Sequence, residues 1–297
     1  MVRLGVIGGS SLVKFDPQNA FDAIGLKVVS QETKTVKNKY GSVGLKIVNL
    51  EGAKDVKHSI IFMQRHGHAK GGITPPHKIN HRANMLALAD QKCDAIVATT
   101  SVGSATKVFP PGRVGVSNQY IDFTGQVVTF HDDDAKFTSV TEPFDPKLNA
   151  TLLQTLRREQ KLKSKVQLEF TYFLAQGPFY ETPAEVVAAQ RLGAHVCGMT
   201  AVREAKLARE LDLPYAALTI ASNWAAGCHP GNPTMALCHE EVAETSARVT
   251  GTIIACLVDL LKNGLPAKTE PPMPTKNATT LARVLRFAKW CGLPCCV

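Results

Sequence analysis

Aromatic residues make up only 6% of this 297-residue chain, and no Lys/Arg block is interleaved with them. That argues against a nucleic-acid surface, although 34 Lys and Arg against 25 Asp and Glu give a net charge of +9. No apolar run reaches the ~18–20 residues that would span a bilayer. The opening MVRLGVIGGSSL passes from a short apolar stretch straight into glycines and reads as a first strand, not a secretory leader. There is no internal repeat. No CxxC pair occurs among the eight cysteines, at 93, 197, 228, 238, 256, 291, 295 and 296. Three of them, Cys93, Cys197 and Cys256, sit in apolar periodic segments, as buried reduced thiols of a cytoplasmic protein would. With 44% hydrophobic and 20% charged residues, disorder over the whole chain is excluded.

The charge excess is uneven. From Lys262 onward six basic residues face the single acid Glu270, so a milder positive remainder is left for the body, suited to an anionic small molecule. Residues 265–297 carry five prolines and read as an extension outside a domain of residues 1–264.

Apolar runs ending in small polar clusters recur along that domain. Arg3–Ile7 precedes Gly8-Gly9-Ser10-Ser11, Ser59–Met63 precedes Gln64-Arg65-His66-Gly67, and Ala95–Ala98 precedes Thr99-Thr100-Ser101. Thr171–Ala175 precedes Gln176-Gly177-Pro178, and Tyr215–Ala221 precedes Ser222-Asn223-Trp224. The lack of polar alternation suits strands covered on both faces. Helical periodicity covers Asn80–Asp90, Pro183–Leu192 behind a Thr182 cap, Ala201–Leu211, and one long helix over Glu240–Leu261. Alternating strands and helices predict a single α/β domain around a twisted mixed sheet, largely parallel, flanked by helices. In such folds ligands bind beyond the carboxyl ends of the strands, where the polar clusters lie.

Gly8-Gly9-Ser10-Ser11 can offer N–H and hydroxyl groups to an anion, but is neither a dinucleotide fingerprint nor a P-loop. Arg65 at a strand end beside glycine suits bidentate recognition of phosphate or carboxylate. Five histidines fall between 58 and 81, yet no HExxH is present, and Gly71-Gly72 and Pro75-Pro76 predict a mobile loop rather than a rigid ligand set, so no metal is expected. Ser10, Arg65, His66, Thr100 and Ser101 converge as an oxyanion pocket.

The ordered segments GVIGGSSL, RHGH, NHRANMLAL, TTSVGS, QYIDFT, TEPFD, QGPFYETPAEV, VCGMTAVREA and TIASN, spread over residues 3–261, resemble the trimeric purine nucleoside phosphorylase and methylthioadenosine phosphorylase family. The resemblance implies an α/β fold around a distorted sheet, a homotrimer, and phosphorolysis of a nucleoside with inorganic phosphate as co-substrate and no metal or organic cofactor. It implies phosphate binding by Ser10, Arg65, His66, Thr100, Ser101 and Thr200, with Met199 under the ribose. Asn223 and His66 are the catalytic candidates.

The family has two branches. The adenosine-type branch carries Asp at the position of Asn223 and again two residues on, where this chain has Ala225. The 6-oxopurine branch carries Asn at the first position, whose amide can donate to N7 or O6. Glu181, beside Tyr180 in the base-binding stretch, also resembles the 6-oxopurine branch, since a carboxylate accepts from N1–H of hypoxanthine or guanine. His239 matches the residue that bonds the 5′-hydroxyl in the nucleoside branch. Phe137 matches the aromatic that a neighbouring subunit lays over the sugar. The expected reaction is phosphorolysis of inosine and guanosine to base and ribose 1-phosphate, with methylthioadenosine or methylthioinosine as the alternative substrate. An inactive nucleoside-binding protein is the distant alternative.

Overall fold

The computed structural model describes residues 1–9, 12, 21, 26–52, 55–69 and 72–267. The side chain of His239 is outside that description, as are Ser10 and the extension from Lys268 onward. The strands are β1 (Arg3–Gly8), β2 (Lys27–Asn38), β3 (Gly41–Glu51), β4 (Lys57–Gln64), β5 (His68–Ala69), β6 (Gly72–Ile73), β7 (Ala95–Ser104), β8 (Val114–Asp122), β9 (Glu169–Leu174), β10 (Val196–Gly198) and β11 (Tyr215–Trp224). The helices are α1 (His81–Asp90), α2 (Pro146–Glu159), α3 (Pro183–Arg191), α4 (Ala201–Glu210), α5 (His239–Arg248) and α6 (Thr250–Asn263).

Nine strands form one mixed sheet in the order β10-β9-β8-β11-β7-β1-β4-β3-β2. The central strands β1, β4, β7 and β11 run parallel, while β2–β3, β3–β4 and β8–β11 are antiparallel. Adjacent residues of the central strands feed opposite cores. Val6, Val97 and Leu218 join α2 and α6 through Leu152, Leu156, Ile253 and Leu257. Ile7, Ile96 and Ala217 join α1 and α4 through Met85, Leu88, Val202 and Leu207. Both faces of the central strands are therefore dry, as the unalternating apolar runs require.

The sheet is distorted where it builds the site. β10 pairs with β9 and also, antiparallel, with the end of β7 through Val196–Ser104 and Cys197–Gly103. The strands β7, β11, β8, β9 and β10 thus close into a ring. Because of this closure, Thr99 to Ser104 stay in β7, and Ser222 to Trp224 stay in β11 after a bulge between Ala221 and Asn223. The expectation that these polar clusters are loops beyond the strand ends is corrected: the extra pairing holds them as strand.

Local signals set three of the six described helix starts. Asn80 caps α1 by accepting from Ala83 N–H, and Thr182 and Glu185 form a full capping box on α3, with Pro183 at the first position. The single long helix expected over 240–261 is instead α5 and α6, broken at Val249 (φ −98°, ψ 7°). The Thr250 hydroxyl donates to the Ala247 carbonyl at 2.8 Å, competing with the helical ladder there. α5 turns toward the cavity, whereas α6 turns its apolar face into the core. The loop expected to be mobile after Arg65 carries the hairpin β5–β6 and a 3₁₀ turn at Pro76–Lys78, tied by Thr74 N–H to the His66 carbonyl at 2.8 Å. Among the described residues no helix is long and apolar enough to cross a membrane.

Candidate active site

A cavity of about 840 Å³ opens where the ring closes. Of the residues expected at a site, Arg65, His66, Thr100, Ser101, Tyr180, Glu181, Met199, Thr200 and Asn223 all line it. Phe137 does not; its side chain is 96% exposed. Ser10 is outside the described residues, while its neighbour Gly9 lines the cavity. His239 is the first residue of α5, and Glu240, Val242 and Ala243 of that helix line the wall. Of the other histidines near Arg65, His77 is exposed and His81 is buried behind Arg65; neither is among the lining residues.

One corner is rich in donors. Gly9 N–H donates to Thr99 Oγ1 at 2.9 Å, and Arg65 Nη1 donates to the Thr99 carbonyl at 2.7 Å. A β-carbon on Gly9 would lie 2.8 Å from both Arg65 Nη1 and the Thr99 carbonyl oxygen, so only glycine allows this approach. The Tyr172 hydroxyl joins three elements, meeting Thr100 Oγ1 at 3.4 Å and accepting Thr200 N–H at 3.3 Å. Thr200 precedes α4, makes no side-chain cap bond and lines the same corner. Ser101 Oγ meets Ser246 Oγ at 2.8 Å and anchors α5. His66 Nδ1 lies 2.9 Å from the Thr74 carbonyl, an acceptor only, which puts a proton on Nδ1.

Sequence reasoning missed the partner of Arg65. Its Nε and Nη2 are taken side-on by Glu204 Oε1 and Oε2 at 2.5 and 2.9 Å, with both side chains 1% exposed. Glu204 Oε2 also accepts from the Tyr215 hydroxyl at 2.7 Å. Burial acts against both charges, but each outweighs it for the other: the Arg65 pKa is raised and that of Glu204 lowered. His81 faces the pair at 3.8 Å and is held neutral, its pKa driven by burial to about 4. A 139-residue separation between Arg65 and Glu204 leaves no sequence signal for the pairing.

A second corner is built around Gly103. Asn223 is its partner across β7 and β11. A β-carbon on Gly103 would lie 3.1 Å from Glu181 Oε1 and 3.0 Å from Ala225 Cα. Glu181 Oε1 has no hydrogen-bond partner, and burial raises the pKa of this carboxyl. The Asn223 amide donates to the Trp224 carbonyl at 2.8 Å, and its oxygen accepts from Ser222 at 2.9 Å, which leaves one N–H. A third wall is apolar, made by Ile73, Val242, Ala243 and Ala247. Among the described residues no group of three or more His, Cys, Asp or Glu side chains is placed to hold a metal ion.

The cavity thus brings a donor-rich corner together with amide and carboxylate groups. The sequence profile of the phosphorylase superfamily matches residues 21–262. The chain belongs to the phosphorylase superfamily. Within this superfamily it is 36% identical over 271 residues to a protein of Thermococcus kodakarensis named a probable 6-oxopurine nucleoside phosphorylase, covering 88% of this chain and 92% of the other. It is 34% identical over 259 residues to one of Methanopyrus kandleri named a probable S-methyl-5'-thioinosine phosphorylase, covering 86% and 92%. Among solved superfamily structures, methylthioadenosine phosphorylase from Schistosoma mansoni with adenine bound superposes with a TM-score of 0.70 at 28% identity, covering 89% of this chain and 93% of that one. The expected family, the α/β fold and an enzyme of the pentosyltransferase kind are thereby established.

Proposed function

We propose that this phosphorylase cleaves 6-oxopurine nucleosides, inosine and guanosine, with inorganic phosphate, giving free base and ribose 1-phosphate. The observation that carries the reading is the pairing of Glu181 and Asn223 on either side of Gly103. An unpartnered buried carboxylate oxygen calls for a donor. Hypoxanthine and guanine present N1–H there; adenine N1 is itself an acceptor. Ala225, 1% exposed and packed on Gly103 beside Glu181, holds the place where a second carboxylate would serve adenine and would repel Glu181.

Cleavage of the N-glycosidic bond leaves positive charge on the ribose and negative charge on the purine. Phosphate in the corner of Arg65, His66, Thr100, Ser101 and Thr200 attacks C1′ from below and supplies the counter-charge. Met199 lies beneath the sugar. The remaining Asn223 N–H bonds N7 as charge arrives, a contact stronger in the transition state than in the ground state. Inorganic phosphate is the sole co-substrate in this reading. The catalytic domain of residues 1–264 assembles as a homotrimer in the cytoplasm, where exposed Phe137 of one subunit is available to cover the sugar bound by another.

The apolar wall of Ile73, Val242, Ala243 and Ala247 favours a second reading, in which the 5′ group is methylthio and the substrate methylthioinosine. Incubation with phosphate and, separately, inosine, guanosine, methylthioinosine, adenosine and methylthioadenosine tests both. Release of hypoxanthine and guanine is expected. Faster turnover of methylthioinosine than inosine selects the second reading, and preferential release of adenine overturns both.

A further inference from the structure

Both oxygens of the buried Glu204 carboxylate are engaged, yet it is not among the residues that line the cavity. Its two oxygens receive Arg65 Nε, Arg65 Nη2 and the Tyr215 hydroxyl, and His81 stands 3.8 Å away. The Thr99 carbonyl takes a third Arg65 donor. Three of the five guanidinium N–H groups are thus engaged, and the two that remain are one on Nη1 and one on Nη2. Arg65 itself lines the cavity.

The pair carries no net formal charge. Arg65 therefore attracts an anion less as a free charge than through the direction of its unspent N–H groups, and that direction is set by the side-on grip. Four parts of the fold converge on the grip: the turn after β4, α4, β11 and the start of α1. We propose that Glu204 is a positioning residue for phosphate, holding one edge of the Arg65 guanidinium so that the other edge faces the cavity. This rests on the reading of that corner as the phosphate site.

The test uses the full chain and the variants Glu204→Gln, Glu204→Asp and Tyr215→Phe. Phosphate KM, inosine KM and kcat are measured, with calorimetric Kd for inorganic phosphate and a melting curve for each variant. A Gln at 204 turns an amide N–H toward the fork and keeps one acceptor, so Arg65 loses its setting. Phosphate KM and Kd are expected to rise about tenfold or more, with inosine KM within about twofold. Glu204→Asp returns part of the loss, and Tyr215→Phe, which leaves the fork in place, costs less than Glu204→Gln. A role in folding alone would lower the melting temperature without separating the two KM values. Unchanged or tighter phosphate binding in folded Glu204→Gln overturns the proposal. If that variant does not fold, unchanged phosphate KM in both other variants overturns it. A wild-type chain that binds phosphate but turns over no nucleoside defeats the proposed function instead, and the calorimetric series still reads Glu204.

Discussion

Tyr172 and Gly198 are built for each other: a β-carbon on Gly198 would lie 2.1 Å from the Tyr172 hydroxyl oxygen. The hydroxyl needs that space, because it ties Thr100 of β7 to Thr200 at the start of α4. Gly198→Ala must push β10 from β9 or turn Tyr172 away. Overpacking of this kind costs ~1–3 kcal/mol. A melting temperature lowered by several degrees and a raised phosphate KM are expected, measured by thermal denaturation and steady-state kinetics. A variant that melts and binds phosphate like the parent would show that Tyr172 does not organise the corner.

Glu181→Gln replaces the charged acceptor for N1–H with a neutral amide that keeps one weaker oxygen acceptor and adds N–H donors. A loss of about 10²-fold or more in kcat/KM for inosine and guanosine is expected, in the range for removing one preorganised transition-state contact. The same change relieves a desolvated charge, so the variant should melt no lower than the parent at neutral pH.

The pH dependence of Glu181 has a definite sign. Burial raises its pKa above the ordinary 4.5, so the folded chain holds this proton more tightly than the unfolded chain. Stability from this group is therefore greatest at acid pH and falls as pH rises from the ordinary value through the raised one. Activity runs the other way, because the charged carboxylate is the stronger acceptor for N1–H. The kcat/KM of inosine should decline on the acid side from a pH above 4.5, and Glu181→Gln should abolish that limb. An acid limb unaltered in the variant assigns it to another group.

Asn223→Asp sets a carboxylate against the Trp224 carbonyl, which now accepts the amide at 2.8 Å, and removes the donor to N7. Turnover of 6-oxopurine nucleosides is expected to drop ~10²–10³-fold. Little change would mean that N7 is served by another donor.

Cysteine labelling reports on burial. Cys93, Cys197 and Cys256 are 5%, 2% and 0% exposed. Burial pushes Cys93 up to about 12 and raises the other two as well. Iodoacetamide at mildly alkaline pH followed by peptide mass spectrometry should leave these three unmodified in the native chain, while half-buried Cys238 reacts. Modification of Cys256 before unfolding would contradict the packing of α6.

The sequence by itself determined the alternation of elements and most of the site's membership. Apolar runs without polar alternation suit strands covered on both faces, and Thr182-Pro183 and Asn80 start helices through bonds made within one turn. Because the ends of parallel strands share one edge of a sheet, Arg65, Thr100 and Asn223 were legible as neighbours. Only the tertiary structure decided how these residues are held. Closure of β10 onto β7 keeps the hydroxyl cluster in a strand, Val249 divides the last helix, and Glu204 takes one edge of Arg65. Each of those depends on partners tens to more than a hundred residues apart, or on competition between a side chain and the helical ladder. Local periodicity records what a segment buries, but not which distant group will meet it.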